Sequence, residues 1–178
     1  MAANTYPFHH HSDVQVGVDP VSLFAHLDDH RRLSAHMERP SLMTAGAVMR
    51  IETDDRHGKA VGSVISMRGR VLGVSLHLDE VVTTYDPPRS KTWETRGEPR
   101  LLVVGSYRMG FSVVASGRGS TLTVFIDYQL PQRGIGRLCG YLFGSTYAAW
   151  CTRRIAADAR RAFPPGTGPV RATGGERE

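Results

Sequence analysis

The sequence predicts an α+β fold in which a curved antiparallel sheet is covered on its concave face by one long C-terminal helix. Three observations carry this prediction: a short strand followed by two short helices, six consecutive segments that alternate apolar and polar residues, and a final segment with helical periodicity. The 178 residues, of which 40% are hydrophobic and 22% charged, fit one domain with a sizeable core.

The chain begins with a short strand and two short helices. Residues 13–18 alternate valine with polar or small residues, as a strand does. Asp19 and Pro20 then supply a helix N-cap and a first-turn proline. In the following segment VSLFAHLDDHRRLSAHM, apolar residues recur at near-helical spacing with a break near Asp28 and Asp29. We therefore expect two short helices after the first strand.

Six strands separated by short turns follow. The segments DDRHGKA, YDPPRS and ASGRGS have the composition of turns, and the tandem proline in the second cannot donate to a strand ladder. Between the turns, apolar and polar residues alternate with the period of a half-buried strand. The predicted strands lie near residues 45–51, 61–67, 74–79, 91–95, 103–113 and 122–130.

The period then changes to that of a long amphipathic helix over residues 132–163. Gly136, Gly140 and Gly144 form a GxxxGxxxG stripe, which is typical either of close helix packing or of the wall of a cavity. A membrane helix dimer is disfavoured because Arg137 interrupts the apolar run. Cys139 and Cys151 lie about 18 Å apart along this helix, too far for a disulfide, so we expect a reducing cytoplasm.

The net charge of +5 is concentrated in the last helix. Most of its arginines lie near the C-terminal end of the helix, where the helix dipole favours positive charge. The first interpretation is therefore a solvated basic helix end. The second is a surface that binds nucleic acid or an anionic membrane. The arginines are Arg133, Arg137, Arg153, Arg154, Arg160 and Arg161, against the single acid Asp158. No apolar run reaches the roughly 18 residues of a membrane span, and no secretory signal is visible.

Composition also divides the chain into one domain with two loose ends. Residues 1–12 are polar and rich in histidine, and we expect a flexible N-terminus. The tail 164–178 is rich in proline and glycine without periodicity, as in disordered segments. The folded domain is expected over residues 13–163.

The order of elements, with several local segments, resembles the START-like superfamily, also called SRPBCC, which has the helix-grip fold. The segments that carry the resemblance are VSLFAHLDDHRRLSAHM, EVVTTYDPPRSKTWET, GSYRMGF and IDYQLP leading into GRLCGYLFGSTYAAWC. The similarity is greatest to the polyketide cyclase/dehydrase and lipid-transport branch. It implies a deep apolar cavity between the sheet and the last helix, which in family members holds lipids, sterols, quinones, plant hormones or polyketides.

Candidate lining residues for such a cavity come from the strands and from the helix. The strands offer aromatic and apolar side chains, with two tyrosine hydroxyls as polar groups, and the middle of the helix offers small residues. The candidates are Trp93, Tyr107, Met109, Phe111, Ile126, Tyr128, Leu142, Ser145 and Ala149. The same side chains are equally typical of a plain hydrophobic core.

Catalytic and metal-binding signals are weak. His26 and His30 have the spacing of two zinc ligands on one helix, but no third ligand is evident, so no metal and no cofactor are expected. His77 shares a strand face with Asp79, although that face is predicted to meet solvent. His77 and Tyr107 are the weak catalytic candidates. GxSxG, P-loop, GxGxxG and CxxC motifs are absent from the sequence.

The sequence therefore predicts a protein that binds a hydrophobic small molecule, such as a lipid, a quinone or a polyketide-like compound. The alternative is an aromatic polyketide cyclase or dehydratase that uses the same cavity. The expected partner is the ligand itself, with no nucleic acid, and formation of a homodimer is left open.

Overall fold

The computed structural model describes residues 5–29, 48–71 and 74–164. These residues form seven strands and two helices, which confirms the predicted α+β architecture. The elements are β1 (Phe8–Val16), α1 (Pro20–Leu27), β2 (Val48–Thr53), β3 (Val64–Val71), β4 (Val74–Asp86), β5 (Ser90–Arg100), β6 (Tyr107–Ser116), β7 (Gly119–Tyr128) and α2 (Gly134–Ala162). Most of the predicted second short helix and of the predicted disordered tail lie outside the described residues.

The seven strands form one antiparallel sheet in the order β1-β7-β6-β5-β4-β3-β2. Strands β2 to β7 follow each other as a meander, and β1 pairs with β7 at the far edge. The register between β4 and β5 shifts twice, between His77 and Asp79 and between Val82 and Thr84. Such bulges bend and twist a strand, so they contribute to the curvature that the sequence predicted.

Strand β1 begins at Phe8, which corrects the predicted start of this strand at residue 13. Phe8 pairs with Tyr128, and the two rings stack with their centroids 5.3 Å apart. Further along β1, His10 and Ser12 hydrogen-bond Thr152 Oγ1 on α2, at 3.1 and 2.9 Å. The alternation of apolar residues fails here because this part of the strand faces a polar residue of the helix.

Helix α1 begins where the sequence predicts. The Asp19 carboxylate accepts hydrogen bonds from the backbone N–H groups of Val21 and Ser22, each at 3.0 Å, and Pro20 occupies the first helical position. The helix buries Leu23, Phe24 and Leu27.

A buried ion pair joins the end of α1 to the middle of the sheet. Lys91 on β5 is fully buried, and its Nζ donates to Asp28 Oδ1 at 2.7 Å. The Tyr85 hydroxyl donates to the other carboxylate oxygen of Asp28 at 2.9 Å. Burial lowers the pKa of Lys91, and the pairing with Asp28 opposes that shift. Because a buried charge without its partner is costly, this pair fixes α1 in one position on the sheet.

Helix α2 packs mainly against β1 and β7, and its glycine stripe decides how closely it approaches the chain that follows β7. A Cβ atom added at Gly140 would lie 2.7 Å from Pro131 Cδ and 2.9 Å from the Val103 carbonyl oxygen. Gly136 also lies against Pro131. The stripe therefore serves close packing, and of the two interpretations of GxxxGxxxG the cavity wall is wrong.

Replacing Gly140 by alanine is expected to lower the free energy of unfolding by about 1–3 kcal/mol, because the new methyl group overlaps backbone and proline atoms. The intrinsic helix preference of alanine, worth about 1 kcal/mol, acts in the opposite direction. Gly144→Ala is the matched control, since its new methyl group would meet the flexible end of Leu130 at 3.1 Å, and a Tyr128 ring atom and the Val103 carbonyl oxygen at the ordinary contact distances of 3.5 and 3.6 Å. Urea unfolding of both variants measures the difference, and an equal or greater stability of Gly140→Ala would contradict the packing described.

Candidate functional site

Polar side chains cross the inner face of the central strands in one row. Glu80 on β4 pairs with Thr95 on β5, and Tyr107 on β6 pairs with Tyr128 on β7. The backbone N–H of Tyr107 donates to Thr95 Oγ1 at 3.2 Å, which links the two halves of the row. All four residues are buried. The inner face of the sheet thus carries a band of hydrogen-bonding groups among its apolar side chains.

The centre of this row is a hydrogen bond between Tyr107 and Glu80. The Tyr107 hydroxyl donates to Glu80 Oε1, and the two residues are 6% and 1% exposed. Burial raises the pKa of Tyr107 well above its usual value, and the negative charge of Glu80 raises it further. The phenol therefore stays protonated and acts as a hydrogen-bond donor, whereas the carboxylate acts as an acceptor.

Helix α2 adds two more polar groups to the same place. Tyr147 and Cys151 lie one helical turn apart on α2, so their side chains are neighbours. Burial raises the pKa of Tyr147 well above its usual value, and the nearby Cys151 and Glu80 add to that shift. Burial also raises the pKa of Cys151 to about 12. Glu80, Tyr107, Tyr147 and Cys151 together are the polar cluster between the sheet and α2.

Apolar side chains surround the polar cluster on the inner face of the sheet. Trp93 and Met109 occupy paired positions on β5 and β6. The Trp93 ring also meets the Phe111 ring edge to face, with centroids 6.4 Å apart. Ile126 on β7 is paired with Met109 and is also buried. A ligand at the polar cluster would therefore meet large aromatic and aliphatic surfaces beside it.

The structure places the strand-borne lining candidates together and separates those from the helix. The inner face of the sheet buries Trp93, Tyr107, Met109, Phe111, Ile126 and Tyr128. On α2, Ala149 is half-buried and Ser145 is exposed. Leu142 is 58% exposed on the outside of the helix, which corrects its assignment to the lining. The glycine stripe causes this, because the face with Gly136, Gly140 and Gly144 turns toward the sheet and leaves Leu142 outside.

His77 and Tyr107 lie on opposite faces of the sheet. The His77 side chain is 44% exposed on the outer face, with its Nε2 3.6 Å from Asp79 Oδ2. The weak catalytic candidate His77 is therefore remote from the polar cluster, whereas Tyr107 is part of it. Glu80 was not among the residues that the sequence predicted, although it continues the inward positions of Leu76 and Leu78 along the same strand. The signal in the sequence that could have identified Glu80 is a carboxylate at an inward position of a strand.

The remaining sequence signals do not form a site among the described residues. His26 contacts the Phe163 ring at 5.2 Å between centroids, and His30 lies outside the described residues. In residues 5–29, 48–71 and 74–164, no three His, Cys, Asp or Glu side chains form a group that could hold a metal ion. Neither of the helices in these ranges has the length and apolar character needed to cross a membrane. At the basic end of α2, Arg154 and Arg161 pair with Asp158.

Comparison with known proteins identifies the fold. No protein-family model and no curated protein sequence matches the chain. Among solved structures, the Zhui aromatase/cyclase from Streptomyces sp. R1128 is similar over 89% of this chain and 98% of its own, with 14% sequence identity and a TM-score of 0.59. Norcoclaurine synthase from Thalictrum flavum is similar over 87% of this chain and 85% of its own, with 14% identity and a TM-score of 0.59.

A third similar structure, Ara h 8.0201, covers 86% of this chain and 98% of its own, with 13% identity and a TM-score of 0.55. These likenesses confirm the helix-grip fold that the sequence predicted. At such low identities the likenesses describe architecture, and the function depends on the residues of the site.

The buried tyrosines predict a loss of stability at alkaline pH. The pKa of Tyr85 is raised to about 12, and those of Tyr107, Tyr128 and Tyr147 are also raised. An unfolded tyrosine loses its proton near pH 10, so these groups stabilise the fold below about pH 10, and that contribution falls as pH rises toward their native pKa values. The lowered pKa of Lys91 makes stability rise with pH, but this is one group against four tyrosines.

Urea unfolding between about pH 9 and 11 should show this decline, with up to about 1.4 kcal/mol per pH unit from each group. Tyr107→Phe should have a shallower decline than the wild type. A stability that is constant or rising across this range would contradict the buried positions of the hydroxyl groups.

The two cysteines should differ in reactivity. Burial raises the pKa of Cys151 to about 12, whereas Cys139 is partly exposed on the same helix. We expect iodoacetamide to modify Cys139 in the native protein, and Cys151 only after denaturation. Mass spectrometry of labelled peptides measures both sites, with Cys139→Ala as the control that leaves one thiol. Rapid labelling of Cys151 in the native state would place the polar cluster in contact with solvent.

Proposed function

We propose that this chain, which has the helix-grip fold of the START-like superfamily, binds a hydrophobic small molecule between the inner face of the sheet and α2. The polar cluster supplies the hydrogen bonds that orient the ligand. Trp93, Met109, Phe111 and Ile126 supply apolar contact. Suitable ligands combine an apolar body with a hydroxyl or carbonyl group, as lipids, quinones and polyketide-like compounds do.

The observation that supports this proposal most directly is the position of Glu80. A carboxylate that is 1% exposed, deep in an apolar interior, costs free energy unless its environment compensates for lost hydration. Burial of Lys91 and Asp28 has a structural explanation, because that pair holds α1 against the sheet. Glu80 instead accepts a hydrogen bond from another inward side chain, Tyr107. Recognition of a ligand gives such a group a role.

The donors and acceptors of the polar cluster also restrict the ligand. Tyr107 and Tyr147 are phenols held in the protonated state, and Glu80 is an acceptor when ionised. A ligand hydroxyl would donate to Glu80, and a ligand carbonyl would accept from a tyrosine. Burial of apolar ligand surface, worth about 25 cal/mol per Å², supplies most of the affinity, while the polar groups set the orientation.

The second candidate function is that of an aromatic polyketide cyclase or dehydratase, and the Glu80–Tyr107 hydrogen bond favours it. Aldol cyclisation needs a base that removes a proton from the carbon next to a carbonyl group, and a donor that stabilises the enolate oxygen. Glu80 fits the first role and Tyr107 the second. When the new carbon–carbon bond closes the ring, the protonated Glu80 would return its proton to the alkoxide. In the dehydration, Glu80 would remove a second proton from the same carbon and deliver it to the departing hydroxyl group, which leaves as water. The similar Zhui protein is itself an aromatase/cyclase.

A reducing cytoplasm stays the predicted location. Both cysteines, Cys139 and Cys151, are free thiols.

Ligand binding can be tested on the purified protein without knowledge of the natural ligand. Native mass spectrometry and solvent extraction are expected to recover a small apolar molecule, and the dye ANS is expected to bind saturably. Tyr107→Phe should lower the affinity for the recovered ligand about tenfold, because it removes one hydrogen bond, and should change the affinity for ANS little. Tyr141→Phe is the matched control, because Tyr141 is 81% exposed. Recovery of no molecule together with unsaturable dye binding would reject the proposal.

The enzyme candidate makes a different prediction. With a poly-β-ketone analogue as the substrate, Glu80→Gln should abolish cyclisation while ligand binding persists, because glutamine retains the shape but cannot accept the proton. Asp79→Asn, on the outer face of the same strand, is the matched control and should retain the wild-type rate. Equal turnover by Glu80→Gln and the wild type would exclude Glu80 as the base.

A further inference from the structure

The outer side of α2 carries large apolar residues in its first half. We call Ile135, Leu138, Tyr141, Leu142 and Phe143 the outer patch; their exposed fractions are 72%, 58%, 81%, 58% and 55%. Contiguous apolar surface of this kind marks an interaction site more often than a scattered surface leucine does. The patch follows from the rotation of the helix, because the glycines occupy the side that faces the sheet.

The charges that α2 itself places beside the outer patch are all positive. Arg133 and Arg137 are exposed at its N-terminal end, and no acidic residue occurs from residue 133 to residue 157. Arg153 follows Ile135 by five full helical turns at 3.6 residues per turn, so it extends the same side of the helix, and Arg160 lies two turns beyond it. The outer side of α2 is therefore apolar in its first half and cationic in its second.

We propose that the outer side of α2 binds the surface of an anionic lipid bilayer. The outer patch would enter the boundary between headgroups and acyl chains, and Arg133, Arg137, Arg153 and Arg160 would contact phosphate and carboxylate headgroups. This inference is independent of the internal site, since it concerns the opposite side of the helix. It does not need a ligand in the interior.

A bilayer fits this surface better than a second copy of the chain does. In a twofold symmetric dimer, the same patch contacts itself, so the arginines of both copies would approach each other with no acid on this side to compensate. The outer patch is also convex, on the outside of a single helix, and a bilayer accommodates such a shape without a matching groove. Beside it, an open groove of about 720 Å³ lined in part by Arg137, Leu138 and Tyr141 is available for a headgroup.

Binding can be measured by flotation of the full chain with vesicles of phosphatidylcholine containing about 30% phosphatidylserine, against vesicles of phosphatidylcholine alone. We expect binding to the anionic vesicles, weaker binding to the neutral vesicles, and loss of binding as the salt concentration rises. No binding to anionic vesicles, or equal binding to both kinds, would overturn the proposal. The first result would leave a protein partner as the occupant of the patch.

Two matched pairs of variants separate the apolar and ionic contributions. Leu138→Gln with Leu142→Gln should reduce vesicle binding about tenfold or more, whereas Val61→Gln with Val114→Gln, exposed elsewhere, should not. Arg153→Gln with Arg160→Gln should reduce binding more than Arg68→Gln with Arg118→Gln, which removes the same charge from the exposed surface of the sheet. Unchanged binding by the α2 variants would overturn the proposal. Unfolding midpoints confirm that each variant is folded.

A tryptophan placed at the patch gives an independent readout. Tyr141→Trp should be quenched by brominated lipid in the anionic vesicles, whereas Val114→Trp should not be. Equal quenching at both positions would contradict insertion of α2. Sedimentation velocity of the wild type without lipid tests the alternative occupant: a dimer that the Leu138→Gln, Leu142→Gln variant abolishes would assign the patch to a second copy and overturn the proposal.

Discussion

The close approach of α2 to the segment that follows β7 determines much of the molecule. Gly140 lies so near Pro131 and the Val103 carbonyl that no side chain fits between them. This contact fixes the rotation of a helix of 29 residues. As a result, Tyr147 and Cys151 turn toward the sheet, and Leu138 and Leu142 turn away from it. One steric constraint therefore creates both the polar cluster inside and the apolar patch outside.

The interior contains two kinds of buried charge with different roles. Lys91 and Asp28 neutralise each other and join α1 to the sheet, so that removal of one partner would leave the other charge buried. Glu80 instead accepts a hydrogen bond from the phenol of Tyr107, and its charge also raises the pKa of Lys91. The first arrangement fixes a helix, and the second offers hydrogen bonds to a bound molecule. Both are costly to bury, and this cost separates them from the surrounding apolar core.

The sequence predicted the architecture more fully than the site. Alternation of residues predicted the strands because one side of the sheet faces the core, and Asp19 with Pro20 predicted the start of α1 through local hydrogen bonding. The start of β1 was missed because His10 and Ser12 face Thr152 and break the apolar alternation. Leu142 was misplaced because the rotation of α2 depends on contacts with Pro131, which periodicity alone does not contain. Tyr147 was missed because only the folded chain brings α2 against the inner face of the sheet, whereas the inward strand position of Glu80 was visible in the sequence.

The pairing of the first strand with the last strand has a consequence for biosynthesis. Phe8 pairs with Tyr128, and His9 contacts Asp127, which lies 118 positions later in the chain. At ribosomal rates of about 5–20 residues per second, the nascent N-terminus waits on the order of ten seconds before its partner strand is translated. Strands β2 to β7 can pair as they emerge, but the sheet is completed only when its earliest and latest strands meet. Final docking of β1 is thus a late step that follows translation of nearly the whole domain.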